Sequence, residues 1–316
     1  MGWIVRLVGV LLMLSALALS LSRAPDRPVQ TLVARWAPAP SDFIEVKGQL
    51  VHLRDEGLRG DPEPIVLIHG TAASLHTWEG WVRALKGTRR VISFDLPGFG
   101  LTGPFTGQYP PEDYSGDAYA RFVLDLLDTL KVQRAVLAGN SLGGEIAWRT
   151  AFLAPQRVSR LILVDASGPA STPKSVPLGF RLARIRLLNP IVESALPRAL
   201  VAEGLAAVYG DPSLVTPELV DRYFELALRE GNRHALGLRV QGLVNGADQE
   251  RIATLKLPTL ILWGGRDRLI PPETAHRFEH DIAGSRLVIF DKLGHVPQEE
   301  DPAGTVAAAK AFLQAP

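Results

Sequence analysis

The chain of 316 residues contains no cysteine. That absence removes disulfides, thiolate metal sites and a cysteine nucleophile together, and leaves the redox compartment open. A charge excess is also missing. With 34 Lys+Arg against 33 Asp+Glu the formal net charge is +1, so no broad field draws the chain to nucleic acid or to an acidic partner. A small neutral substrate fits that balance better. There is no internal repeat and no low-complexity tract. What remains is an ordinary globular composition, 47% hydrophobic and 21% charged, long enough for one α/β domain with an insertion.

The first 22 residues stand apart from the fold. Residues 7–22 carry no charge, and residues 2–5 extend the apolar run around Arg6. At 1.5 Å per residue a helix over 2–22 reaches about 32 Å, enough for a hydrocarbon layer of about 30 Å if Arg6 snorkels to the interface. This favours a transmembrane anchor and a membrane-associated protein. A cleaved secretory signal is the rival, with Ala16-Leu17-Ala18 as a small-x-small site and a secreted or periplasmic product. Residues 23–42, with Pro25, Pro28, Pro38 and Pro40, read as a tether.

From residue 43 short apolar runs alternate with longer amphipathic ones. Residues 43–46 and 49–54 form an antiparallel opening pair turning at Gly48. Strand patterns follow at 65–68, 91–94, 135–138, 161–164, 259–263 and 287–290, and helical periodicity at 117–130, 141–154, 273–279 and 305–313. The expectation is a doubly wound, mostly parallel α/β sheet. Its core spans 43–168 and 251–316. Between Asp165 and Thr259 no convincing strand occurs, while 178–188, 218–229 and 234–243 are periodic in the helical sense. A structureless loop of that length is implausible, so 169–250 is read as a helical cap over the carboxyl edge of the sheet.

The chemistry is carried by Gly139-Asn140-Ser141-Leu142-Gly143, placed between the strand RAVLA and the helix LGGEIAWRTAFLA. A serine at a tight strand-to-helix turn must accept a strained backbone, and glycines two residues to either side remove side chains that would collide. The turn lifts Ser141 Oγ and puts the Leu142 amide at a helix N-terminus, where a developing oxyanion is favoured. The bland alternative, an N-cap serine at a glycine-rich helix start, ignores that spacing. After the strand at 65–68 comes His69-Gly70-Thr71-Ala72, and the Thr71 amide is the candidate second oxyanion donor. His69 itself is assigned a structural role.

Two further residues follow strands. Asp267 ends the Gly264-Gly265-Arg266-Asp267 turn after 259–263, and His295 follows 287–290, so both reach the ligand edge. Chain order is Ser141, Asp267, His295, as in hydrolases with a nucleophile elbow. Asp165, at the end of 161–164, is the rival acid. His276 and His280 share a helical face at i, i+4; a metal pair is conceivable, but an exposed face is the simpler reading.

Together HGTAAS at 69–74, DLPGFG at 95–100, GNSLGG at 139–144, GGRD at 264–267 and GHVPQEEDP at 294–302 resemble the α/β-hydrolase superfamily over residues 43–316. The resemblance implies a capped serine hydrolase, esterase- or lipase-like, using no metal or organic cofactor. Haloalkane dehalogenases and epoxide hydrolases use Asp where this chain has Ser141, which argues against both reactions. GNSLGG is also similar to the elbow of meta-cleavage product hydrolases, which break carbon–carbon bonds. Hydrolysis of an ester of a small apolar molecule is the first expectation and carbon–carbon hydrolysis the alternative. A non-catalytic ligand-binding protein on this fold would usually have lost a triad member.

Overall fold

A computed structural model describes residues 2–4, 6–10, 13 and 22–314. Most of the apolar segment on which the anchor reading rests therefore lies outside the described residues. Among those described, no helix is long and apolar enough to cross a membrane.

The sheet has eight strands: β1 (Asp42–Val46), β2 (Gln49–Gly57), β3 (Ile65–Ile68), β4 (Arg90–Phe94), β5 (Ala135–Asn140), β6 (Val158–Val164), β7 (Thr259–Gly264) and β8 (Arg286–Phe290). They lie in the order β1-β2-β4-β3-β5-β6-β7-β8. The β1–β2 and β2–β4 pairs are antiparallel and all others parallel. The opening hairpin turns on Lys47 and Gly48, with φ of 48° and 83°, the doubly left-handed turn that matches strand twist.

Alternation within each strand divides the core between two faces. Ile65 and Leu67 pack on one side with Trp78, Trp81 and Phe312; Val66 and Ile68 pack on the other with Phe94, Phe122 and Trp148. All of these are essentially removed from water, and each such side chain contributes about 1.5–3 kcal/mol by burial. Helices cover both faces because both are apolar. In chain order the helices are α1 (Gln30–Trp36), α2 (Glu79–Leu85), α3 (Gly116–Thr129), α4 (Leu142–Leu153), α5 (Leu178–Ala183), α6 (Asn189–Ser194), α7 (Arg198–Val208), α8 (Pro217–Ala227), α9 (Asn232–Gln241), α10 (Glu273–Asp281), α11 (Pro297–Glu300) and α12 (Pro302–Gln314). Helices α2 and α12 line one face; α3, α4 and α10 line the other.

From Asp165 to Pro258 no residue joins the sheet, and α5 to α9 occupy the interval. The run at 178–188, expected as one helix, is broken. Helix α5 stops at Ala183 and a short 3-10 turn covers Arg186–Leu188 before Pro190 starts α6. Helix α7 gave no separate signal, because its apolar residues merge with those before it.

Residues 23–41 do not hang free as a tether would. Ala24 N–H donates to the Ser194 carbonyl at 3.0 Å and Arg27 N–H to that of Leu228 at 2.6 Å. Asp26 accepts from Arg233 at 2.6 Å and from the Gly231 amide at 3.0 Å. Helix α1 then bonds Glu225 of α8 through Arg35 and Trp36, each at 2.7 Å. The segment is a strap across α6, α8 and α9. Its prolines suit it to that, since they leave an extended chain with few amides to satisfy.

Candidate active site

Ser141 follows β5 with φ 56° and ψ −115°, a left-handed conformation that costs a non-glycine residue about 1–3 kcal/mol. Its backbone is held from both sides. Ser141 N–H donates to the Val164 carbonyl at 3.0 Å, and the Ser141 carbonyl accepts from Glu145 at 3.1 Å and Ser167 at 3.0 Å. The glycine spacing has a steric cause. A Cβ on Gly139 would stand 2.1 Å from the Gly143 carbonyl oxygen, and one on Gly143 would stand 2.1 Å from that of Ile68. The Leu142 amide opens α4, whose first-turn N–H groups have no intrahelical acceptor.

Opposite the serine, Gly70 lies so close that a Cβ there would be 3.1 Å from Ser141 Cβ. The turn that carries Thr71 is therefore packed against Ser141, with Ala72 at φ 59° behind it. His69 is fixed in the interior. Its Nδ1 donates to the Gly70 carbonyl at 2.7 Å and its Nε2 accepts from the Leu96 amide at 2.9 Å. Burial pushes its pKa down, against the pull of Asp95. Both ring nitrogens are thus committed to backbone groups that shape the turn.

His295 and Asp267 meet: Nδ1 is 2.6 Å from Asp267 Oδ2. Asp267 is buried, at 2% exposure. Burial is tolerated because Oδ1 accepts from the Leu269 and Ile270 amides at 2.8 and 3.0 Å. The loops are zipped together, with Gly265 N–H on Phe290 and Arg266 N–H on Leu293, both at 2.8 Å. Contact is so close that a Cβ on Gly264 would fall 1.8 Å from the Gly294 carbonyl oxygen. His295 N–H in turn donates to Val208, the last residue of α7, at 2.7 Å.

The β8 loop must reach back across β7 and β6 to meet Ser141 on β5. Asn140 secures it: Nδ2 donates to the His295 carbonyl at 2.9 Å and to that of Val164 at 3.2 Å. Asn140 stands inside the GNSLGG motif, yet as the variable position of the pattern it gave no signal for this role. Asp165 also converges here. It ends β6 at φ 43°, is fully buried, and accepts from Gly264 N–H at 3.0 Å through Oδ1.

Asp165, Asp267 and His295 each offer one potential metal-ligand atom, all within 4.8 Å of one another. Of these atoms, His295 Nδ1 is already engaged by Asp267 Oδ2 at 2.6 Å. His276 and His280 lie exposed beside Glu279 and Asp281 respectively, separate from this cluster.

Helix α4 is tied by buried charge to the helices inserted between β6 and β7. Glu145 pairs with Arg149 at 3.0 Å and with Arg239 of α9 at 2.6 Å, while Arg149 also reaches Asp117 and Asp248, both at 2.8 Å. Each charge in this network is paired, as burial requires.

A family model described as the alpha/beta hydrolase fold matches residues 63–302. An uncharacterised protein of Mycobacterium tuberculosis is 32% identical over 302 residues, covering 91% of this chain and 84% of its own length. The 2-hydroxy-6-oxo-2,4-heptadienoate hydrolase of a Pseudomonas putida strain is 30% identical, over 81% of this chain and 91% of that protein. A crystal structure of a membrane phospholipase A, described as a bacterial virulence factor, is similar with a TM-score of 0.71 and 26% identity. It covers 98% of this chain and 95% of that one.

Proposed function

Because the chain belongs to the α/β-hydrolase fold family, we propose that it is a serine hydrolase with Ser141 as nucleophile, His295 as general base and Asp267 as the orienting acid. His295 takes the Ser141 proton as Oγ attacks the acyl carbon, and the amides of Leu142 and Thr71 receive the oxyanion. Collapse gives an acyl-enzyme and releases the alcohol, which His295 protonates. Water, activated by the same imidazole, then frees the acid. The observation that carries this reading is the strained, doubly glycine-flanked Ser141 on one side of the site with the 2.6 Å His295–Asp267 bond on the other.

The substrate we propose is an ester of an apolar acyl chain, met at a membrane surface. Supporting this, Leu178, Ile185, Leu187 and Ile191 are exposed on the cap, Leu187 to 89%, among exposed Arg181, Arg184 and Arg186. Ser22, the last residue of the apolar N-terminal run in the sequence, accepts from the Leu196 N–H just after α6 at 3.1 Å. An apolar patch ringed by arginines suits an anionic bilayer. The phospholipase likeness agrees with this reading. A second reading, carbon–carbon hydrolysis of a dienoate, is favoured by the 30% identity to the heptadienoate hydrolase.

The test is turnover by the full chain of p-nitrophenyl esters of graded acyl length, phospholipid vesicles and 2-hydroxy-6-oxo-dienoates, with Ser141→Ala as control. We expect ester cleavage that strengthens with acyl length, and labelling of Ser141 by a fluorophosphonate. Dienoate cleavage without ester turnover would replace the first reading by the second; equal labelling of Ser141→Ala would overturn the nucleophile.

A further inference from the structure

Two carboxyl groups share the buried end of the triad. Asp165 and Asp267 bring carboxyl oxygens within 4.8 Å of one another, and neither residue is more than 2% exposed. Contact between two carboxyl groups is a hydrogen bond only if one of them carries a proton, because ionised carboxylates have acceptors alone. Their other partners say which. Asp267 accepts from the amides of Leu269 and Ile270 and faces His295 Nδ1, three interactions that favour an anion. Asp165 has the Gly264 amide on Oδ1 and no donor at all for Oδ2. The charge thus belongs on Asp267 and the proton on Asp165.

We propose that Asp165 is a neutral positioning residue whose carboxyl O–H donates to Asp267, tempering the charge that Asp267 presents to His295. This rests on the hydrolase reading given above. The titratable groups facing Asp165 are Asp267 on the β7 loop, His295 on the β8 loop and Glu300 on α11. Burial first, and then the negative charges of Asp267 and Glu300, push its carboxyl well above the usual carboxylate range. The left-handed backbone at φ 43° is a conformation that Asp tolerates better than most residues, and it aims the group sideways from β6 toward the β7 loop. By donating one hydrogen bond, Asp165 removes part of the basicity of Asp267 and so keeps the imidazole of His295 from becoming too strong a base.

The test compares the full-length enzyme with Asp165→Asn and Asp165→Leu, reading kcat/KM against pH. Asn keeps an N–H donor toward Asp267, so the acid limb should stay where it is in the wild type. Leu removes the donor, so the limb should move to higher pH by about 0.5–1 unit. A charged Asp165 predicts the opposite sign: both variants would lose an anion beside His295 and shift the limb to lower pH. That result overturns the proposal. Infrared spectroscopy supplies a readout independent of turnover and of whether the Leu variant folds. The wild type should show a protonated-carboxyl C=O stretch at neutral pH that Asp165→Asn lacks; an unchanged spectrum overturns the proposal even if the hydrolase reading stands. Loss of Ser141 labelling by a fluorophosphonate with the infrared band intact would instead sink that reading alone.

Discussion

Asn140 holds the main-chain carbonyl of His295 at 2.9 Å through its side-chain amide, so the residue preceding Ser141 fixes the loop that carries His295. The two are 155 residues apart in sequence, and the same amide group also grips Val164 at the end of the intervening strand β6.

Asn140→Ala should therefore act through geometry. Releasing the His295 loop by even an ångström is expected to lower kcat roughly 10- to 100-fold with little change in KM. The lost buried hydrogen bonds should cost only about 1–3 kcal/mol of stability. Steady-state kinetics beside urea denaturation will separate the two; an unaltered kcat with a fall in stability would make Asn140 a structural residue only.

Most of the sheet was legible in the sequence because buried parallel strands are short apolar runs closed by Gly, Asp or Pro, as at 65–68 and 259–263. Strand ends were less so: β6 begins at Val158, three residues before the apolar run, because Ser159 and Arg160 break the pattern although Val158 and Arg160 pair with β5. Ser141 and its two flanking glycines could be read because their spacing has a local steric cause. Asn140 gave no signal and Asp165 could be read only as a rival acid, since both make contacts with loops more than 90 residues away. The strap at 23–41 looked like a tether for the same reason: its partners, on α6, α8 and α9 and at His76 in the core, are remote in sequence, and proline content reports backbone extension but not what the extended chain lies against.

Acid should weaken the protein through His76. Its Nδ1 accepts from the Ser74 hydroxyl at 3.0 Å and its Nε2 donates to the Trp36 carbonyl at 2.9 Å, tying α1 to the core. Burial, opposed by Asp95 and joined by Arg222 and Arg54, lowers its pKa to about 4. An unfolded histidine titrates near ~6.5, so between those values the unfolded chain binds a proton that the folded one refuses. Stability is full above about pH 6.5 and is lost as pH falls toward 4, by up to about 3 kcal/mol from this group. Urea midpoints at pH 7.5 and 4.5 should differ less in His76→Gln than in the wild type. An identical pH dependence in the two proteins would exclude His76 as the cause.

Removing the strap's anchor should loosen the cap. Arg233 is 4% exposed, and Asp26 is the acid that meets its guanidinium while also accepting the Gly231 amide. Asp26→Ala leaves that buried charge unpaired and is expected to cost about 1–3 kcal/mol, a lower figure than for a wholly buried pair because Asp26 is partly solvated. Thermal unfolding and limited proteolysis check it: cleavage should appear first in residues 165–258. A cap as protease-resistant as that of the wild type would show that α8 and α9 hold themselves in place.

Asp267→Asn gives the sharpest expected loss. Asp267 uses one oxygen for the Leu269 and Ile270 amides and the other for His295 Nδ1, so its two acceptors are both committed. Asn has a single acceptor oxygen. If that oxygen stays with the two amides, the NH2 group faces Nδ1, which must then be the unprotonated nitrogen, and the proton moves to Nε2. An imidazole protonated at Nε2 cannot receive the Ser141 proton, and kcat is expected to fall by roughly 10⁴ with the fold retained. Asp165→Asn makes the contrast, because it keeps a donor toward Asp267 and an acceptor for Gly264 N–H, and its kcat should stay within about tenfold of the wild type. The two acids sit at the ends of adjacent strands, β6 and β7, and both lie within reach of the histidine. Turnover near wild type in Asp267→Asn, with collapse in Asp165→Asn, would assign the triad acid to β6.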